Sequence, residues 1–202
     1  GSGVDTDFFK LKKPRVISKE NKSVLFPARL IKEKGLSELI SACNMLWNEG
    51  YTFQLNLAGH IDNQNNSSFS KNEIKNFKLN KNISFLGHVQ NMKEVYADAD
   101  IVVLPSWREG LSKSLIEAAS MECPIVTTNV PGCKDVIDHG INGIIAEMRS
   151  VSSLKFAIKF LLLNPELSLK LGRNARKKVI KNFTILKINN MTMKVYRDLL
   201  KK

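Results

Sequence analysis

Short apolar runs rich in β-branched residues alternate, over residues 23–147, with segments whose apolar residues recur every three or four positions. Apolar runs bounded by turn residues are typical of strands, and the longer period is typical of helices. The predicted strands cover residues 23–29, 53–59, 83–87, 100–106, 124–129 and 143–147. The predicted helices between them cover residues 35–50, 70–79, 91–99, 113–121 and 131–138.

The predicted strands are almost continuously apolar, as expected for strands whose two faces are both covered. Together with the alternation of elements, this pattern predicts an α/β fold, a Rossmann-like doubly wound parallel sheet of about six strands with helices on both faces. After residue 150 only helical periodicity remains, which predicts a helical carboxyl-terminal tail. We therefore divide the chain into an irregular lead-in segment (1–22), one sheet domain (23–184) and a final helix (185–202). A serine- and asparagine-rich run at 60–70 predicts an exposed loop.

The composition fits a soluble globular chain with one core, because 43% of the 202 residues are hydrophobic and 25% are charged. No apolar run approaches the roughly 20 residues of a membrane span, and the first residues lack the apolar stretch of a signal peptide. These features predict a cytoplasmic protein. Cys43, Cys123 and Cys133 lie far apart and show no metal-ligand spacing, so we expect neither a disulfide nor a zinc site.

The basic residues are concentrated in the last quarter of the chain. Residues 1–150 hold 18 basic and 17 acidic residues, whereas residues 151–202 hold 13 basic and 2 acidic ones. Such a block suits nucleic acid or the anionic inner face of a plasma membrane, and it is equally typical of solvated helix faces. A non-catalytic basic nucleic-acid-binding module is therefore one alternative, although the block has few aromatic residues and no recognised reading motif.

Ligands of open α/β sheets bind beyond the carboxyl ends of the strands. Three cations, Arg29, Lys34 and Lys113, fall on turns at these ends, and the start of the helix after Gly110 offers free backbone N–H groups. Cations and a helix amino terminus suit a diphosphate.

Two glutamates, Glu109 and Glu117, lie in the same region of the chain. An ionised carboxylate only accepts hydrogen bonds, so these residues suit vicinal hydroxyl groups. Hydroxyl pairs together with a diphosphate describe a nucleotide sugar.

Other motifs carry less weight. The sequence has neither the glycine-rich dinucleotide fingerprint nor a P-loop, and Ser112 and Ser114 lack a hydrolase frame. Asp98 and Asp100 have the spacing of a metal-binding DxD motif, but they precede a predicted strand and so belong to the opposite edge of the sheet.

Three stretches carry a family likeness. REGLSKSLIEAASMECPIVTTNVPGCKDVIDHGINGIIAE (108–147) resembles the E-x7-E region of the retaining GT-B glycosyltransferases of family four, the glycosyl transferases group 1. FPARLIKEKGLSELISA (26–42) resembles that family's first strand with its Arg and Lys, and the opening GSGVDTDFF resembles the segment that joins the two halves of such enzymes. The resemblance covers residues 1–184 and implies one half of a GT-B fold, the carboxyl-terminal half that binds the sugar donor.

The resemblance also implies roles for individual residues. Glu109, Arg29 and Lys34 would be catalytic, with Glu109 on the hydroxyls of the transferred sugar and the two cations on the diphosphate. Glu117 would bind the ribose diol. The other donor-binding residues would be Gly110, Leu111, Ser112, Lys113 and Ser114 at the phosphates, Gly87, His88 and Val89 along the nucleobase, and Gly59 on a neighbouring turn. Family members need no metal, so the nucleotide-sugar donor is a substrate and no cofactor is expected.

The sequence departs from the family pattern at two positions. The usual EGFG turn reads EGLSK, with Ser112 replacing a glycine, and Asp135 stands where a glutamate is usual. The first departure concerns the backbone path beside the phosphates, and the second concerns the role of Asp135.

The finer resemblance is to bacterial enzymes that extend polyprenyl-diphosphate-linked oligosaccharides. It implies a UDP-sugar donor, a lipid-linked glycan acceptor bound through an amino-terminal half, peripheral contact with an anionic membrane and no nucleic-acid partner. We expect the isolated chain to transfer sugar poorly, and the apolar residues of the final helix to pack against another half or a second copy. A sugar-nucleotide epimerase or a phosphorylase with a similar two-half fold remains an alternative.

Overall fold

The computed structural model describes residues 2–16, 20, 22–62 and 65–200. Within that part of the chain, six strands form one parallel sheet in the order β3-β2-β1-β4-β5-β6, which confirms the predicted doubly wound sheet. The strands are β1 (Lys22–Phe26), β2 (Phe53–Ala58), β3 (Ile83–Gly87), β4 (Ile101–Leu104), β5 (Ile125–Thr128) and β6 (Ile144–Ala146). The helices are α1 (Leu36–Asn48), α2 (Lys71–Leu79), α3 (Met92–Asp98), α4 (Lys113–Ser120), α5 (Pro131–Lys134), α6 (Val151–Leu163), α7 (Pro165–Asn182) and α8 (Ile185–Leu200). A 3₁₀ turn at Lys32–Lys34 precedes α1.

The strand order reverses between β1 and β4. From β1 the chain proceeds outward to β2 and β3, and from β4 it proceeds in the other direction to β5 and β6. Right-handed crossovers in opposite directions place α1 and α4 on opposite faces of the sheet, where α1 packs with α6 and α4 packs with α7. The loops that follow β1 and β4 therefore diverge and leave a crevice at the carboxyl edge of the sheet.

Two predicted strands end two or three residues before the sequence pattern indicates. The strand predicted over 23–29 ends at Phe26, and the strand predicted over 100–106 ends at Leu104. The next residue in each case is a proline, Pro27 or Pro105, which has no N–H group to donate to a neighbouring strand. As a result, Arg29 and Ser106 lie on loops beyond the sheet edge.

One predicted helix ends four residues before the sequence pattern indicates. The pattern over 131–138 predicts a helix, but α5 ends at Lys134 and a turn follows. The Asp138 amide donates to Asn142 Oδ1 at 2.6 Å, so a side chain replaces the helical acceptor.

The lead-in segment is tied to the sheet domain although residues 2–16 contain no helix or strand. Val4 forms a parallel bridge with Thr184. The Arg15 guanidinium donates to the carbonyl oxygens of Tyr96 at 2.7 Å and of Met121 at 2.9 Å, which anchors the segment beside α3 and α4.

The loop at 60–70 was predicted to be exposed, and its described residues contradict this in part; residues 63–64 lie outside the described part of the chain. Phe69 is buried and packs against Phe77, with 5.4 Å between ring centroids. Bridges from Ile61 to Leu30 and from Ser68 to Ile31 hold the loop over the segment that follows β1. The loop thus forms one wall of the crevice.

The last helix lies on the surface, and none of its residues is buried. Its exposed apolar side chains are Ile185, Leu186, Met191, Met193, Val195, Tyr196, Leu199 and Leu200. Across the described residues, no helix combines the length and the apolar character that a membrane crossing requires.

Candidate functional site

A cavity of about 480 Å³ opens between the loops that follow β1 and β4. At its wall, Lys34 Nζ donates to Glu109 Oε1 at 2.6 Å, and Ser106 Oγ donates to the same oxygen at 2.7 Å. The structure therefore brings together two residues that the sequence placed on separate turns at the carboxyl ends of strands. The residues lining this cavity are Arg29, Ile31, Glu33, Lys34, Asn65, Arg108, Glu109 and Gly110.

Glycines allow the loops of this cavity to approach each other closely. Gly35 has φ 75°, and a Cβ atom there would lie 2.0 Å from the carbonyl oxygen of Pro105. A side chain at Gly132 would lie 2.2 Å from the carbonyl oxygen of Gly110. Both distances are far below van der Waals contact, so only glycine permits this packing behind Lys34 and Glu109.

Two further cations of the cavity are held by carboxylates. Arg29 Nη1 lies 2.7 Å from Asp62 Oδ2. Arg108 donates to both oxygens of Glu33, at 3.1 Å and 3.0 Å, and this contact supports the turn that carries Arg108. A hydrogen bond from Ser67, followed by those from Arg108, lowers the pKa of Glu33 below its ordinary value.

A second cavity of about 330 Å³ adjoins the first, because Arg29 lines both. It is formed by the loops after β1, β2 and β3 and by the start of α4. The predicted donor-binding residues in its lining are Gly59, His88, Val89, Lys113, Ser114 and Glu117. The structure therefore gathers most of the predicted site into two adjoining cavities. Gly87, Leu111 and Ser112, which were also predicted, lie beside these cavities and not in their lining.

Glu117 lies one turn into α4, which begins at Lys113 as the sequence pattern predicts. Its side chain is 13% exposed, and its Oε1 atom lies 3.7 Å from Lys113 Nζ. Burial raises the pKa of Glu117 above its ordinary value, and Lys113 opposes this shift. The carboxylate is thus set into the wall of the second cavity beside a cation.

The start of α4 supplies backbone donors at the second cavity. Ser112 is buried and caps the helix by accepting the Leu115 amide at 3.4 Å, so the serine that replaces the family's glycine has a structural role. The amides of Lys113 and Ser114 donate to no residue of the described chain. Free amides at the positive end of a helix dipole favour an anion.

Among the residues of this site that were not singled out from the sequence are Asp62, Ser106 and Tyr96. Asp62 belongs to the loop predicted as exposed, and its contact with Arg29 depends on the loop folding back. Ser106 was placed at the end of a strand, which was the only signal for its contact with Glu109. Tyr96 was part of a helical pattern, and its buried hydroxyl contacts Glu117 Oε2 at 3.4 Å.

The described residues include no group of three or more His, Cys, Asp or Glu that could hold a metal ion. Metal-free transfer remains a prediction. The Asp100 carboxylate accepts the Ser23 amide at 2.8 Å at the amino end of the strands, which is the structural role favoured over a DxD metal site.

A doubly wound sheet whose switch point carries cations, a free helix start and carboxylates belongs to the α/β proteins with a ligand crevice at the carboxyl edge. Residues 7–178 match the family Glycosyl transferases group 1, so the chain belongs to that family. Solved structures that resemble the chain are carboxyl-terminal domains of GT-B glycosyltransferases, which confirms that the fold is one half of a GT-B fold.

Individual relatives are distant in sequence and longer than this chain. The capsular polysaccharide biosynthesis glycosyltransferase CapM of Staphylococcus aureus is 28% identical over 91% of this chain and 48% of its own length. N,N'-diacetylbacillosaminyl-diphospho-undecaprenol alpha-1,3-N-acetylgalactosaminyltransferase of Campylobacter jejuni is 30% identical over 75% of this chain and 38% of its own length. The crystal structure of Anabaena HepE in complex with UDP-glucose superposes with a TM-score of 0.82 at 21% identity, over 97% of this chain and 56% of HepE. The chain thus spans about half the length of such proteins, or less.

Proposed function

We propose that the chain is the donor-binding half of a retaining glycosyltransferase. The sugar would come from a nucleotide-diphosphate sugar, with UDP as the preferred nucleotide, and would pass to a lipid-linked glycan in bacterial surface polysaccharide or glycan biosynthesis. The family match favours this function over the nucleic-acid-binding alternative. The preference for UDP is supported by the UDP-glucose in the HepE structure.

The observation that carries the proposal is the division of the crevice into two cavities with different chemistry. One holds Lys34 and Glu109, the other holds Glu117 and the free start of α4, and Arg29 lines both. A sugar and a ribose joined by a diphosphate present hydroxyls, phosphates and hydroxyls in the same order. The site therefore fits one nucleotide sugar laid across both cavities.

In this arrangement Glu109 accepts hydroxyls of the transferred sugar, and Glu117 accepts the ribose diol. Arg29, Lys34 and the amides of Lys113 and Ser114 face the diphosphate. As the bond to the sugar breaks, negative charge grows on the departing diphosphate. Fixed cations and a helix dipole stabilise that charge without a metal ion, because they are oriented before the reaction begins.

The acceptor and the membrane belong to the same proposal. The names of the two relatives refer to capsular polysaccharide and to diphospho-undecaprenol, which supports a lipid-linked acceptor. The basic residues after position 150 and the exposed apolar side chains of α8 suit peripheral contact with an anionic membrane. We expect the 202-residue chain by itself to bind donor weakly and to transfer sugar poorly.

A two-dimensional NMR titration with UDP, GDP and a short oligonucleotide tests the donor site, because it measures weak affinities. We expect UDP to bind, and Glu117→Ala to weaken binding about tenfold or more, since a charged acceptor of hydrogen bonds is lost. Lys34→Ala should weaken the binding of UDP but leave the binding of uridine unchanged. Glu166→Ala, which removes a glutamate from the exposed first turn of α7, is the matched control and should bind as the unaltered chain does.

The opposite pattern would overturn the proposal. Shifts with the oligonucleotide and none with UDP or GDP would favour the basic binding module instead. If Glu117→Ala left the binding of UDP unchanged, the nucleotide would not lie in the second cavity.

A further inference from the structure

Tyr96 is a fully buried tyrosine at the base of the second cavity. It lies on α3, has no exposed surface and is the largest of the fully buried side chains in the described chain. Its hydroxyl lies 3.2 Å from the carbonyl oxygen of Ser114 and 3.4 Å from Glu117 Oε2. Both acceptors belong to α4, so a side chain of one helix reaches the ligand-facing edge of the next.

A buried hydroxyl needs a hydrogen-bond partner, and phenylalanine would fill the same space without that requirement. Burial, and then the Glu117 carboxylate, raise the pKa of Tyr96 well above its ordinary value, so the hydroxyl keeps its proton. The proton is shared between a helix carbonyl and a carboxylate. Because an ionised carboxylate is the stronger acceptor, Glu117 gains an oriented donor on one of its two oxygens.

The two oxygens of Glu117 therefore have different neighbours. Oε2 faces Tyr96, whereas Oε1 faces Lys113, whose side chain is 68% exposed and lies 3.7 Å away. A pair that is exposed on one side is weak and easily rearranged. We propose that Tyr96 is a positioning residue of the nucleotide site: by donating to Oε2 it fixes the Glu117 carboxylate so that Oε1 faces the ribose hydroxyls of a bound donor. This inference rests on the proposed donor-binding function.

The hydroxyl also bears on the ionisation of Glu117. Burial raises the pKa of Glu117, while Lys113 and the hydrogen bond from Tyr96 lower it. From the other walls of the cavity, Arg29 and two histidines, His60 and His88, face the same space. Only the ionised carboxylate accepts two hydroxyls, so donor affinity falls as the pH falls through the pKa of Glu117. Without the Tyr96 hydroxyl this pKa rises, and the loss of affinity begins at a higher pH.

A double-mutant cycle tests the inference. The probe is UDP-glucose, because its diphosphate has no second ionisation near neutral pH, and affinity is read by NMR titration of the 202-residue chain. We expect Tyr96→Phe to weaken binding about three- to tenfold, since it removes one hydrogen bond to a charged group. We expect Tyr96→Phe combined with Glu117→Gln to bind no more weakly than Glu117→Gln alone, because the hydroxyl acts through the carboxylate. The affinity of the unaltered chain for UDP-glucose should fall as the pH falls. The midpoint of this decrease should lie at a higher pH in Tyr96→Phe, and Glu117→Gln should show no such decrease.

Two control variants separate positioning from general loosening. Phe9→Leu disturbs the ring of Tyr96, whose centroid lies 6.4 Å from that of Phe9, but keeps the hydroxyl. Phe9→Leu should lower the melting temperature without weakening the binding of UDP-glucose. Tyr51→Phe removes a tyrosine hydroxyl beside Lys159, away from the crevice, and should change nothing.

The outcomes distinguish this inference from the proposed function. Additive effects of the two substitutions, or an unchanged pH midpoint in Tyr96→Phe, overturn the inference alone, because UDP-glucose still binds the unaltered chain. Failure of the unaltered chain to bind UDP-glucose overturns the proposed donor, and the inference falls with it.

Discussion

At the scale of single residues, the cations of the crevice pair with carboxylates of the same chain. Lys34 meets Glu109, and Arg29 meets Asp62. Exposed pairs such as Arg29–Asp62, whose side chains are 47% and 20% exposed, contribute little to stability, about 0–1 kcal/mol. Their main effect is on binding, because a phosphate must compete with the resident carboxylate for the same guanidinium or ammonium group.

Asp62→Asn should therefore tighten the binding of UDP. The substitution keeps the size of the side chain but removes the charge that holds Arg29, and we expect a gain of about two- to fivefold, equivalent to less than about 1 kcal/mol. NMR titration measures it. The matched control is Asp138→Asn, because Asp138 also forms an ion pair, 2.9 Å from Lys178, but lies away from the crevice. Weaker UDP binding in Asp62→Asn would show that Asp62 contacts the ligand instead of competing with it.

The contacts within the crevice also show which parts of a site can be predicted from a sequence. Lys34 and Glu109 follow strands that are neighbours in the sheet, so the topology alone brings them close together. Asp62 and Tyr96 could not be assigned in this way. The contact of Asp62 requires a loop to fold back over Leu30 and Ile31, and the contact of Tyr96 requires the packing of one helix against the next.

At the scale of elements, the periodicity of apolar residues located all six strands, and its errors lie at their ends. The strand before Arg29 was overestimated because apolar character continues through a proline that cannot pair. The periodicity of apolar residues also does not predict where two loops approach each other closely. Gly132, at the start of α5, supports the loop of Glu109 and Gly110 only because it has no side chain, and its amide donates to the Glu109 carbonyl oxygen at 3.3 Å.

Gly132→Ala should destabilise the chain and disturb the first cavity. The added methyl group would overlap the backbone of Gly110, and overpacking of this kind is worth about 1–3 kcal/mol. Chemical denaturation measures the change. Gly110→Ala is the matched control for stability, because a Cβ atom at Gly110 would meet nothing within 4 Å. Equal stability of the two variants would contradict the rigid contact between these loops.

At the scale of the whole molecule, the basic last quarter is partly neutralised by acidic residues from earlier in the chain. Lys155 and Lys159 both pair with Glu49, and Lys178 pairs with Asp138. The charge that reaches the solvent is therefore smaller than the sequence count indicates, and it lies mostly on α7 and α8. The exposed cations of these helices are Lys170, Arg173, Lys177, Lys181, Lys187, Lys194 and Arg197.

Vesicle sedimentation tests whether these cations contact a membrane. We expect binding to vesicles that contain anionic lipid, and loss of binding at high salt. Replacing Lys187, Lys194 and Arg197 by glutamine should weaken it about fivefold for each charge, at about 1 kcal/mol per cation. The control replaces Lys155 and Lys159, which already pair with Glu49, and should have a smaller effect. Vesicle binding that depends neither on the anionic lipid content nor on the salt concentration would contradict the membrane proposal.

The bridge between Val4 and Thr184 has a mechanical consequence. The Val4 amide donates to the Phe183 carbonyl oxygen at 2.8 Å, and the Ile185 amide donates to the Val4 carbonyl oxygen at 3.1 Å. The two segments run parallel here. A force that pulls them in opposite directions along their length therefore loads both hydrogen bonds in shear and at the same time. The force passes from one segment to the other at this junction, so the six strands and the crevice at their carboxyl edge stay unloaded until the junction yields.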